Sequence, residues 1–325
     1  MKKNPHSTKI SRETGFLLDT NVWRYVADDG AWPELLRIVH AGRVRVLVAP
    51  SVIYEALRTG NPVVRRQLTW VMSLSSWRRL MPEAFSESQE LLSEIRRLRP
   101  GWLRPAPDKD MLVRQRYDWT RPRGGFWDRV RNGHIAMSER GVLDRARDEA
   151  QQRRQEFQHA SRSEDVPLDM VRRRPLHWLP GWKGDDVEDW RWQAWFSTTY
   201  ALEQTGHPYI EWLDPEIDLT QVLLDETSWL QFWLYEVAPR AMPRFWLRWA
   251  FEFLQRFRRV TDGTPCDSQL ATYLPEADVV VSADKAFIQI AGKCAPLAPC
   301  RLPTPVLVPA GSAGVDALVQ QLSAY

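Results

Sequence analysis

Three cysteines in 325 residues, at positions 266, 294 and 300, are too few for a disulfide scaffold. A reducing compartment, the cytoplasm, is the expected setting. Six histidines lie scattered at 6, 40, 134, 159, 177 and 207, with no HExxH pair, which argues against a zinc centre. Cys294 and Cys300 flank a proline-rich loop without further ligands and read as plain thiols. The 16 glycines form neither GxGxxG after a strand nor GxxxxGK[ST], so dinucleotide and P-loop sites have no support. The GxSxG nucleophile elbow is missing too. No uninterrupted apolar run is long enough for a membrane helix, since Asp, Glu or Arg recurs through the Trp-rich stretches. The opening MKKNPHSTKISRETG lacks the apolar centre of a secretory signal. A net charge of +3 does not by itself demand nucleic acid.

What is present suits a globular chain: 44% hydrophobic and 26% charged residues, in a length that fits one large domain or two ordinary ones. The charge is blocked. Residues 96–174 carry 20 Lys+Arg against 12 Asp+Glu, and 175–237 carry 2 against 12. Such blocks either mark an anionic partner or pair with each other in the fold. Tryptophan is concentrated as well, with 13 of 17 between 101 and 250. At helical spacing these rings are expected to pack a core. Exposed, they would instead stack on unpaired bases.

Alternation of strand and helix marks both ends of the chain. Phe16–Leu18 reads as a buried strand ending in Asp19-Thr20-Asn21. Helices follow over Val22–Val39, then a strand at Val44–Val48, then a helix from Val52 with Ser51 as its N-cap. Helical stretches are expected at about 63–75 and 84–98, with a strand near Trp77–Met81. From 100 to 243 no clear strand is legible; proline separates helical pieces near 126–160, 186–205 and 219–236. The pattern resumes with a helix at Arg244–Phe257, a helix opened by Asp267, a strand at Asp278–Val281, a strand at Pro305–Val308 and a last helix at Val315–Leu322. The expected fold is α/β, three-layer α/β/α, with a central parallel sheet in strand order 3-2-1-4-5. It is built from 10–99 and 244–325 and interrupted by a mostly helical, Trp-rich insertion at 100–243.

Ligands of open parallel sheets bind beyond the carboxyl ends of the strands. Asp19 and Asp284 each follow an apolar strand there, Glu55 lies early in the helix after the second strand, and Asp267 precedes the third clear strand. Four carboxylates from four elements converging on one edge suit hard divalent cations. Singly, an Asp after a strand is often only a helix cap. Asp278 starts its strand and belongs to the far end.

Three segments carry a family resemblance. LLDTNVWRYV, VLVAPSVIYEAL and CDSQLATYLPEADVVVSADKAF resemble the successive blocks of PIN-domain nucleases, over about a third of the chain. The resemblance implies that Asp19, Glu55, Asp267 and Asp284 are catalytic and hold one or two Mg²⁺ or Mn²⁺ ions. It assigns supporting roles to Thr20, Asn21 and Ser282. It implies a metal-dependent endoribonuclease that hydrolyses single-stranded RNA with a metal-activated water. The other readings are a DNA-cleaving nuclease and a non-catalytic PIN-like module that binds RNA or protein. A toxin with an antitoxin partner, or a defence effector, is compatible with the resemblance, as is a dimer. Compact PIN domains lack an insertion of this size. Arg153, Arg154, Arg172, Arg173 and Arg174 in it are candidates for phosphate contacts.

Overall fold

A computed structural model describes residues 13–134, 167–174, 179–258 and 264–325. Five parallel strands form the sheet: β1 (Thr14–Leu18), β2 (Val44–Val48), β3 (Arg78–Arg79), β6 (Val279–Ser282) and β7 (Thr304–Leu307). Their spatial order is β3-β2-β1-β6-β7, which is 3-2-1-4-5 when the sheet strands alone are counted. Apart from Arg45 in β2 and polar residues at strand ends, the central strands are apolar because helices cover both faces of a parallel sheet. Phe16, Leu17, Leu18, Val46, Leu47, Val280 and Val281 are all buried. β7 is an exposed edge, where Pro305 leaves no central ladder bond unmade.

On one side α1 (Thr20–Asp28), α2 (Trp32–His40), α4 (Pro62–Met72) and α15 (Ser312–Ser323) pack together. On the other lie α5 (Glu83–Leu98), α12 (Pro243–Gln255), α13 (Thr264–Ala271) and α14 (Lys285–Cys294). α3 (Pro50–Leu57) follows β2 and touches helices of both groups. Gly42, at φ 81°, ends α2 in the left-handed conformation that glycine takes at least cost. No helix among the described residues is long and apolar enough to cross a membrane.

The segment 100–243 shares the core of the sheet domain. Trp102, Trp127, Trp190, Trp229 and Trp233 are buried in the same cluster as Phe16 and Val280. Its described helices are α6 (Lys109–Thr120), α7 (Phe126–Arg131), α8 (Asp189–Glu203), α9 (Pro208–Leu213), α10 (Leu219–Leu224) and α11 (Glu226–Gln231). Several local expectations need correction. The helix expected over 126–160 stops at Arg131, where Asn132 and Gly133, the latter at φ 72°, turn the chain; its continuation lies outside the described residues. The 219–236 helix is broken at Asp225, which caps α11, and ends in a π-helical turn at Phe232–Glu236. A two-stranded antiparallel ribbon, β4 (Arg172–Arg173) with β5 (Val187–Glu188), stands where no strand was expected, since two-residue strands carry no periodicity to read. Ala49 rather than Ser51 caps α3, because Pro50 takes the first helical position.

Among the described residues, four ion pairs join the basic block to the acidic one. Arg99 pairs with Glu236 at 2.7 Å, Arg104 with Asp214 at 2.6 Å, and Arg173 with Asp189 at 3.2 Å; Arg96 pairs with Glu216. Behind the sheet, Arg248 of α12 grips the fully buried Glu87 of α5 through Nε at 2.8 Å and Nη2 at 2.9 Å. The Tyr209 hydroxyl of α9 donates to the same carboxylate. Removing one partner of a buried pair leaves the other charge desolvated and alone. Arg248→Ala should therefore lower stability by about 3–5 kcal/mol in urea denaturation. Arg248→Met combined with Glu87→Leu should recover most of that loss. A single-variant loss below about 1 kcal/mol would show that the pair is solvated instead.

Candidate active site

Asp19 follows β1 directly and is buried at 6% exposure. Three donors fix it: the Thr20 amide on Oδ1 at 2.6 Å, with Asn21 Nδ2 at 3.0 Å and Ser282 Oγ at 2.6 Å on Oδ2. Asn21 also accepts from the Ala283 amide at 3.1 Å, so one side chain ties the end of β1 to the end of β6. Ser282 accepts in turn from the Asp284 amide at 2.8 Å. The neighbouring pairing of β1 and β6 makes this possible, with Leu18 opposite Val281. Thr20 points its hydroxyl at Glu55 Oε2, 2.6 Å away.

Two of the acids have an ordinary structural role as well. Asp19 caps α1, and Asp284 caps α14 by accepting from the Ala286 and Phe287 amides at 2.6 and 3.2 Å. Both of those bonds use Oδ1 of Asp284. Asp267 does not open its helix, as the sequence suggested. The helix starts at Thr264, and Asp267 stands in its first turn, where Gln255 Nε2 of α12 meets its Oδ2 at 3.2 Å. Glu55 is likewise mid-helix, in α3. Capping does not explain Glu55. Asp278 lies at the opposite end of the sheet, accepting from the Gly15 amide at 2.8 Å.

The electrostatics tie the four together. Burial raises the proton affinity of Asp267 well above the usual carboxylate range, and the charges of Asp19, Asp284 and Glu55 raise it further. Burial likewise raises Asp19, with Asp284 adding to it and Ser282 opposing. Glu55 is pushed up to about 7, first by burial and then by Asp19, against Thr20, Arg58 and the Cys266 thiol. Like charges out of water disfavour one another, which is the sense of every shift here. Arg58 had not been singled out in the sequence, although its place one turn beyond Glu55 was a usable signal. Gln255 and Cys266 were also missed; nothing local points from either to an acid on another element.

Among the described residues, no three Asp, Glu, His or Cys side chains stand close enough, as oriented here, to enclose an ion. The carboxylates are turned instead toward Ser282, Asn21, Thr20 and Gln255. Mg²⁺ takes only one or two carboxylates and retains several waters, so a closed protein cage is not required of such a site. The donor set is all carboxylate oxygen, which suits Mg²⁺ or Mn²⁺ and not a thiol-seeking metal.

The arginines proposed for phosphate contact fare differently. Arg153 and Arg154 lie outside the described residues. Arg173 is engaged internally, paired with Asp189 and lying over the Trp192 ring at 5.8 Å. Arg172 and Arg174 are exposed beside it on the ribbon packed against α8. Comparisons with protein-family models, curated proteins and solved structures gave no match for this chain.

The raised value of Glu55 has a sign that can be measured. Below about pH 4.5 the carboxyl is protonated in both folded and unfolded chains and does not affect stability. Between there and about 7 the unfolded chain releases its proton first, so stability falls as pH rises, and above that the penalty is constant. In chelator, Glu55→Gln should be more stable than the wild type at pH 8, by about 1–3 kcal/mol, and equal to it at pH 4. A difference that is the same at both pH values would refute the buried, repelled carboxylate.

Proposed function

We propose that this chain is a metal-dependent endoribonuclease of the PIN type. The observation that carries the reading is the placement of Asp19, Glu55, Asp267 and Asp284 on four separate elements about the carboxyl ends of β1, β2 and β6, where the charges of the other three add to burial in raising the proton affinity of Asp267. Helix capping accounts for Asp19 and Asp284 and leaves Glu55, mid-helix in α3, without such a role. Asn21 and Ser282 hold Asp19 in the positions that the family's motifs assign to them.

One or two Mg²⁺ or Mn²⁺ ions would be held by Asp19, Glu55, Asp267 and Asp284. Among the described residues Asp267 and Asp284 each use one oxygen in hydrogen bonds, leaving the other for a ligand. When bound, such an ion lowers the proton affinity of water and takes up charge at the phosphate. The chain itself supplies orientation. Three donors keep Asp19 in one rotamer, the Thr20 hydroxyl directs Glu55, and Arg58 adds positive charge next to a negatively charged substrate. In-line attack by water forms a new O–P bond and breaks the bond to the 3′-oxygen, which leaves as a hydroxyl; the other end retains a 5′-phosphate. Single-stranded RNA is the favoured substrate because the motifs resemble a family that acts mostly there.

Labelled single-stranded RNA and DNA, offered with Mn²⁺ to the wild type, Asp19→Asn and Asp284→Asn, test the assignment. Cleavage by the wild type should fall roughly a hundredfold or more in either variant and vanish in EDTA. Mn²⁺ should also raise the melting temperature of the wild type and leave that of Asp267→Asn unmoved. Cleavage that survives EDTA, or runs at full rate in Asp284→Asn, would sink the metal mechanism. Cleavage of DNA alone would change the substrate class, and no cleavage of either would leave a binding module.

A further inference from the structure

Two arginines, Arg79 and Arg131, stand side by side and make no ion pair among the described residues. Arg79 ends β3, and the strand register aligns it with Val48, then Leu18, then Val281. Leu18 immediately precedes Asp19. Arg79 is therefore level with the acidic site and two strands away, about 10 Å at ordinary strand spacing. Arg131 comes from the insertion, as the last residue of α7. Both guanidinium groups donate through Nη2 to one acceptor, the Ser73 carbonyl, Arg79 at 2.7 Å and Arg131 at 2.5 Å.

The rest of their surroundings does not balance the charge. Arg79 lies over the buried Trp127 ring at 5.5 Å. Burial and the adjacent Arg131 both act against its positive charge, with only Asp128 opposing. Asp128 itself is taken by the Gly124 amide at 2.9 Å. Among the described residues neither arginine makes an ion pair, and the Nε–H of each is buried without an acceptor. Five other arginines, Arg97, Arg99, Arg104, Arg244 and Arg248, each meet a carboxylate. The Ser73 carbonyl, at the C-cap of α4, takes both donors, one on each lone pair. The opposite end of α7 reaches the helix that carries Glu55, since Phe126 meets the Tyr54 ring at 5.9 Å.

We propose that Arg79 and Arg131 form a phosphate-binding subsite that holds the backbone of the strand cut at the acidic edge. This rests on the nuclease reading for its substrate. Planar guanidinium forks suit phosphate oxygens, and two of them accept one phosphate without reading a base. Trp127, beneath Arg79, keeps that fork in its plane. The cost of holding two like charges together in the free protein is repaid when the phosphate arrives.

The test is binding without cleavage. Labelled oligouridine and oligothymidine are titrated in EDTA over a series of salt concentrations, against wild type and the Arg79→Gln/Arg131→Gln double variant. The double variant should bind roughly tenfold more weakly at low salt, and its log affinity should fall less steeply with log salt, by about one unit of slope. Lysine at both positions should restore the slope, because it keeps the charge. Should the double variant fail to fold, Arg131→Gln alone carries the test, since it leaves β3 untouched. Unchanged affinity and slope in folded protein would overturn the subsite, as would a wild type that binds neither strand. Binding that depends on the pair without any cleavage would retain the subsite and remove the enzyme. Cleavage with an unchanged salt slope would do the reverse.

Discussion

The structure turns on keeping four carboxylates near one another at the edge of an apolar sheet. Water would favour their charged forms, and burial takes much of that water away. The chain answers with short, local hydrogen bonds. Ser282, Asn21 and the Thr20 amide hold Asp19, Thr20 holds Glu55, and Gln255 holds Asp267. These donors come from the ends of β1 and β6 and from α12, so the sheet order is itself part of the site. A swap that separated β1 from β6 would part Ser282 from Asp19.

Much of this was legible in the sequence because strong signals coincided. Apolar runs stopped by an acid, as in FLLD and VVVSAD, place a strand and its carboxyl end at once. Two such strands with helices between them leave few parallel topologies, given right-handed crossovers. The misreadings share a cause: competition between local groups. Pro50 outbid Ser51 for the start of α3, and Thr264, three residues earlier, displaced Asp267 from the helix start. The site's less obvious members were hidden for a different reason. Gln255 reaches Asp267 across twelve residues and between two helices, and no periodicity announces that contact. The β4–β5 ribbon is two residues deep, below what alternation can reveal.

The insertion of 100–243 first looks like a separate body of opposite charges. Packing argues otherwise. Its tryptophans join the cluster that includes the sheet, and ion pairs of Arg96, Arg99, Arg104 and Arg173 tie its basic half to its acidic half. Base stacking by buried rings such as Trp190 and Trp233 is accordingly excluded while the fold holds.

One helix carries the mechanical consequence. α12 is buried along most of its length, with Phe245, Trp246, Leu247, Trp249, Ala250, Phe251, Phe253 and Leu254 all inside. Its Trp249 donates to Asp189 of α8 at 2.7 Å, its Arg248 grips Glu87 of α5, and its Gln255 ends at Asp267. A helix so enclosed cannot slide without opening cavities or stranding a charge. The insertion therefore fixes the register of α12, and α12 fixes the donor that steadies Asp267. On this account the large insertion is built into the support of the acidic edge, which explains why it shares the core of the domain that it interrupts.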